Sequence, residues 1–120
     1  MNTPKIQVPD FDDLVALTKK IRELSLKKMQ LQFEIRSKEA KTIHIVTNDE
    51  KYFVKGRPPS MSYIESTYKW SGIGDELLPL RYEMADVVSQ LEEARNLFDV
   101  YKNMISLYQT ESANKRSSTL

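Results

Sequence analysis

Three observations predict a mainly α fold, in which two long antiparallel helices, coiled-coil-like, are joined by a small β-hairpin and short-helix connector and assemble as an oligomeric bundle. The last third of the chain carries an unbroken heptad series, Leu77, Leu80, Met84, Val87, Leu91, Ala94, Phe98, Tyr101, Ile105 and Tyr108, spaced alternately by three and four. A matching series runs through the first third as Leu14, Leu17, Ile21, Leu24, Lys28, Leu31, Ile35 and Lys38, with lysine in two of its slots. The two segments also carry opposite charge. Between Leu14 and Lys41 eight basic residues face three acidic ones, net +5; between Asp75 and Ala113 three basic face eight acidic, net −5. Complementary helices of this kind favour each other over their own copies, although exposed pairs contribute only ~0.2 to 1 kcal/mol each.

Taken in order, residues 1–9 contain Pro4 and Pro9 and are read as an extended arm, ending where Asp10, Asp12 or Asp13 caps a helix. The first helix is expected over 10–41. Its middle adds a second stripe, Leu26, Met29 and Phe33, about 200° round from Leu24. A helix apolar on two faces needs more than one neighbour, so it sits among several helices or faces another protomer. From Thr42 the β-branched residues Thr42, Ile43, Ile45, Val46 and Thr47, with the later run Tyr52 to Val54, suggest a short β-hairpin over 42–56 turning at Asn48 to Glu50. The alternative is a helix that continues to about Val46 and then a loop. Gly56 and Pro58-Pro59 stop regular structure, and Ser60 or Ser62 can cap a short helix over 60–70, Ser62 having capping-box spacing to Glu65. Gly72 and Gly74 close the connector. Pro79 suits the first turn of the last helix, expected over 76–113, whose second half adds Leu97, Val100, Met104 and Leu107 beside the seam. A polar tail occupies 114–120, and the length suits a single helical domain over 1–120.

With 40% hydrophobic and 29% charged residues the chain has the composition of a folding, soluble protein. It has no apolar run of the roughly 18 to 20 residues that span a bilayer and no basic, apolar leader, so no membrane partner and a cytoplasmic location are expected. Cysteine is absent, which removes disulfides, thiol nucleophiles and thiolate metal sites. The single histidine, His44, has no second histidine to complete a zinc site or a Ser-His-Asp arrangement. Asp10-Phe11-Asp12-Asp13 lacks the alternating ligands and distal Glu of a calcium loop, and Gly72-Ile73-Gly74-Asp75 lacks the Lys-Ser/Thr of a phosphate loop. Glu92 and Glu93 fall on an exposed flank where nothing desolvates them for acid-base work. No catalytic, cofactor-binding or metal residues are therefore assigned, and the expectation is not an enzyme.

The connector interleaves cations with flat rings, the mixture that holds single-stranded nucleic acid through phosphate contacts and base stacking. Candidate nucleic-acid contacts are Lys19, Lys20, Lys27, Lys28, Tyr52, Phe53, Lys55, Arg57, Lys69 and Trp70. The competing reading makes Phe53, Tyr63 and Trp70 a small satellite core over the helix ends. Candidate oligomer contacts are Leu26, Met29, Phe33, Leu91, Leu97, Phe98, Tyr101, Met104, Ile105 and Tyr108. The terminal Ser118-Thr119-Leu120 matches the short pattern that PDZ domains capture.

The order helix, hairpin, helix in 120 residues is similar in layout to prefoldin subunits, hexameric chaperones with paired helical tentacles. Pro58-Pro59 and the aromatic helix from Met61 to Trp70 depart from that layout. Small size, paired long helices and a basic, aromatic connector are also similar to phage recombination mediators that bind single-stranded DNA as rings. No residue motif secures either family and no functional residue is carried over. The expected function is a non-enzymatic, homo-oligomeric helical accessory protein that binds single-stranded nucleic acid. The alternative is a protein-binding scaffold: chaperone-like, a virion or assembly component, or an inhibitor acting through the acidic last helix. Oligomer number, partner and process are not readable from the chain.

Overall fold

The computed structural model describes residues 8–118. Most of the arm expected over 1–9 and the last two residues of the PDZ-like terminus lie outside the described residues; Val8 and Pro9 take no regular structure. Helix α1 spans Phe11–Asn48. Its start follows from capping chemistry: the Asp10 carbonyl accepts from Leu14 N–H at 3.1 Å, and Asp13 Oδ2 accepts from Asp10 N–H at 3.2 Å. A carboxylate in the first turn thus returns to the cap, where it also complements the helix dipole.

The β-hairpin expected over 42–56 is not formed, and no strand occurs among the described residues. Residues 42–48 are instead the last turns of α1. The heptad spacing of the first seam continues through Thr42 and Ile45, and Thr42 and Val46 are buried while Ile45 is half-buried. Burial of that stripe outweighs the few tenths of a kcal/mol by which β-branched residues disfavour a helix. Thr42 keeps its hydroxyl satisfied at the Glu76 carboxylate, 3.5 Å away. The helix ends where Asn48 Nδ2 donates to the His44 carbonyl at 2.8 Å.

A single 3₁₀ turn, Glu50–Tyr52, follows, with Asp49 accepting from Lys51 N–H. The chain then reverses at Lys55-Gly56, not at Asn48 to Glu50. Both residues have positive φ, 54° and 75°, the requirement of a type I′ turn, and Val54 and Arg57 exchange hydrogen bonds of 2.9 and 3.1 Å as one isolated bridge. Pro58-Pro59 deny any ladder to follow. Ser60 caps α2, Met61–Ile64, by accepting from Tyr63 N–H at 3.2 Å. Helix α2 widens into a π turn over Glu65–Lys69 and closes as Gly72 N–H reaches the Tyr68 carbonyl at 2.6 Å. A 3₁₀ turn at Ile73–Asp75 leads into α3, Leu78–Ser118, with Pro79 in its first turn, where a missing N–H costs nothing. Helix α3 runs past Ala113 because the residues that follow tolerate helix and Lys115 and Arg116 oppose the negative end of its dipole.

By internal contacts the chain divides into two units. Leu26–Val88 has an interior of Leu31, Ile35, Thr42, Val46, Ile64, Leu77 and Val87; the remaining described residues are organised around Leu17, Leu91 and Ala94. Every one of these except Val46 and Ile64 is a heptad position, Thr42 being one where the first seam continues past Lys38. Lys28 and Lys38, the two basic slots, are half-buried, so the first seam is partly wet.

Gly72 is the most closely packed of the three glycines. It is buried with φ +76°, and a Cβ there would meet Glu76 Cγ at 2.9 Å and Leu77 Cγ at 3.1 Å. Gly56, at φ +75°, would meet nothing within 4 Å. Gly56→Ala should therefore cost only the left-handed penalty, about 1 kcal/mol. Gly72→Ala should cost about 2 to 3 kcal/mol, because strain and a steric shift add. The difference is read from urea midpoints followed by circular dichroism.

Candidate functional site

Two surfaces within Leu26–Val88 concentrate the chemistry. The first is the connector between α1 and α3. The Arg81 side chain, from the first turns of α3, donates to the Trp70 carbonyl at 2.6 Å, to the Lys69 carbonyl at 2.8 Å and to the Glu39 carboxylate of α1. Its guanidinium also lies over the Trp70 ring, 4.4 Å from the centroid. One planar cation thus ties α1, the end of the π turn and the indole together, a role that requires Arg rather than Lys. The inner face of Trp70 is occupied, yet the residue is 64% exposed.

Beside it, Tyr68 receives two rings edge-on: Tyr52 at 5.6 Å and 83°, and Tyr63 at 6.2 Å and 67°. Such pairs contribute about 0.5 to 1.5 kcal/mol beyond area burial. Tyr52 and Phe53 are half-buried, so the satellite-core reading describes these rings better than it describes Trp70. Phe53, Tyr63 and Trp70 are not joined by ring contacts; the cluster is centred on Tyr68.

The cations are unequal. Lys69 pairs with Glu65 at 3.8 Å one turn away, and Lys27 with Glu83 at 3.4 Å; both pairs are exposed and weak. Lys51 lies over the Tyr52 ring at 5.2 Å. Lys55, in the tight turn, and Arg57, just after it, are exposed and enter no ion pair among the described residues, and Lys28 is half-buried. Lys19 and Lys20, exposed on α1, belong to the other unit. The ten candidate contacts are therefore not one patch within a unit; six of them, Tyr52, Phe53, Lys55, Arg57, Lys69 and Trp70, share the connector.

The second surface is apolar. Leu26, Met29 and Phe33 stand 49%, 64% and 76% exposed at i, i+3 and i+7 on α1, hence on one face. In the other unit Leu97, Phe98, Val100, Leu107 and Tyr108 are exposed and Tyr101, Met104 and Ile105 half-buried. Leu91, at 2% exposure, is interior and does not reach this surface.

Sequence reasoning missed Arg81, Glu39 and the central role of Tyr68. No spacing rule links a residue of α3 to a carbonyl eleven positions earlier, and the signal that existed, an Arg in the first turn of the long helix that follows the only tryptophan, is common by chance. His44 is exposed, its Nδ1 3.2 Å from Asn48 Nδ2, and no group of metal-ligating side chains occurs among the described residues. No helix among them is long and apolar enough to cross a membrane.

Fold and surface together define a helical protein that offers exposed side-chain faces. No family model, curated protein or solved structure matches the chain.

Proposed function

We propose that this is a non-enzymatic helical accessory protein that associates with copies of itself and acts by binding through its surfaces. The observation that supports this best is the face of Leu26, Met29 and Phe33. Burying each such side chain contributes about 1.5 to 3 kcal/mol, and three on one helical face form the pattern by which a helix accepts a partner helix. Single-stranded nucleic acid is the ligand favoured by a separate observation: Trp70 is held by Arg81 on one face, stays largely exposed, and sits next to Lys69 in a connector that also carries Lys55 and Arg57. A ring fixed on one side is a stacking platform that needs no reordering. The protein-binding scaffold is the competing role for the same oligomer.

Light-scattering mass on a sizing column, with and without a fluorescent thirty-base oligonucleotide, tests both statements. A discrete oligomer should carry the label at low salt and release it at high salt. Trp70→Ala should weaken binding by roughly 5- to 150-fold, the equivalent of ~1 to 3 kcal/mol of stacking. An oligomer that never carries label would leave the scaffold role and end the nucleic-acid one.

A further inference from the structure

Resting on that self-association, we infer that its contact is heterologous: the Leu26, Met29, Phe33 face of one copy docks on a different face, Leu97, Val100, Met104 and Leu107 on α3, of the next copy. The α3 residues recur at i, i+3, i+7 and i+10, so they form one stripe about 15 Å long at the helical rise. Leu97, Val100 and Leu107 are 40%, 50% and 58% exposed and Met104 is half-buried.

Charge selects the pairing. Arg36 lies one turn beyond Phe33 on the α1 face, while Glu93 lies one turn before Leu97 and Glu111 one turn after Leu107 on the α3 face. All three are exposed and enter no ion pair among the described residues. Around them the helices differ in the same sense. Residues 26–48 carry five basic and two acidic side chains, net +3, and residues 89–113 carry two basic and four acidic, net −2. Lys115 and Arg116 fall beyond the stripe. Pairing either face with its own copy would set like charges together, whereas pairing one with the other places Arg36 opposite Glu93 or Glu111, according to helix direction. Because the two faces are different patches, each copy has one of each to offer. Such a contact builds rings when its rotation closes and filaments when it does not.

The test uses two single variants on exposed positions, Phe33→Glu and Val100→Glu, each checked for unchanged helix content. Wild type should give an oligomeric mass by light scattering, each variant alone the mass of one chain, and an equimolar mixture of the two the mass of two chains, since each retains the face the other lacks. A variant that keeps the wild-type mass, or a mixture that stays at one chain, overturns the heterologous pairing. A wild type that is itself a single chain overturns the self-association beneath it.

Discussion

Truncating Leu77 to alanine is expected to lower the unfolding free energy by about 3 kcal/mol, within the ~2 to 5 kcal/mol range of buried Leu→Ala changes. Leu77 is fully buried at the entry to α3. Its backbone closes the connector, with Leu77 N–H on the Ser71 carbonyl at 2.9 Å and Arg81 N–H on the Leu77 carbonyl at 3.0 Å. Gly72 lies so near the Leu77 side chain that the chain there has little freedom to collapse into the space left behind, which places the cost above the transfer energy alone. Tyr82→Ala, at a position 72% exposed on the same helix, should stay within about 0.5 kcal/mol. Urea denaturation followed by circular dichroism separates the two. Equal midpoints would mean that Leu77 does not hold this unit together.

The second large effect is expected at Arg81. Arg81→Ala leaves the Glu39 carboxylate without its cation and the Lys69 and Trp70 carbonyls without their donor. The Arg81 and Glu39 side chains are 17% and 20% exposed, so solvent replaces the lost partners only in part. A loss of about 2 to 3 kcal/mol is expected, at the lower edge of what breaking a buried pair costs. Arg81→Lys should recover less than half of it, because an ammonium supplies the charge without the fork that reaches carbonyls and carboxylate together. Trp70 is the only tryptophan, so its emission reports this contact alone. Arg81→Ala should red-shift that emission and lower its anisotropy while total helix content barely changes. An unchanged spectrum would show that the indole is held by something else.

Much of the helical frame was legible because amphipathic spacing is a direct consequence of helix geometry. Leu17, Leu31, Ile35, Leu77, Val87, Leu91 and Ala94 are the buried side chains that the heptads mark. The seam loses force toward the end of α3, where Phe98 and Tyr108 are 39% and 49% exposed; periodicity names a face, but not whether the same chain covers it. From Thr42 to Val46 the β-branched run favours the hairpin by a local preference worth tenths of a kcal/mol, whereas burial is worth more; the alternative of a continued helix is what forms, with the seam running on through Thr42 and Ile45. The turn was misplaced for a related reason. Asn48-Asp49 has the better turn composition, yet Asn48 is used to cap α1, and reversal falls to Lys55-Gly56, where a non-glycine residue accepts positive φ.

Of the candidate surfaces, the apolar stripe of Leu26, Met29 and Phe33 was readable from spacing, as was the mixture of cations and rings in the connector. The division of labour within the connector was not. Tyr52 and Tyr68 turn toward each other, Lys69 and Lys27 are given to carboxylates, and Trp70 is fixed by a residue of α3.

By itself, then, the sequence determined the helical class, the two apolar stripes of α1 and the absence of thiol chemistry, because each depends on residue type and on spacing along one helix. The tertiary structure alone decided where α1 ends, which rings pair, and that Arg81 joins Glu39 to Trp70, because these depend on distances between residues far apart in the chain, which no local period encodes.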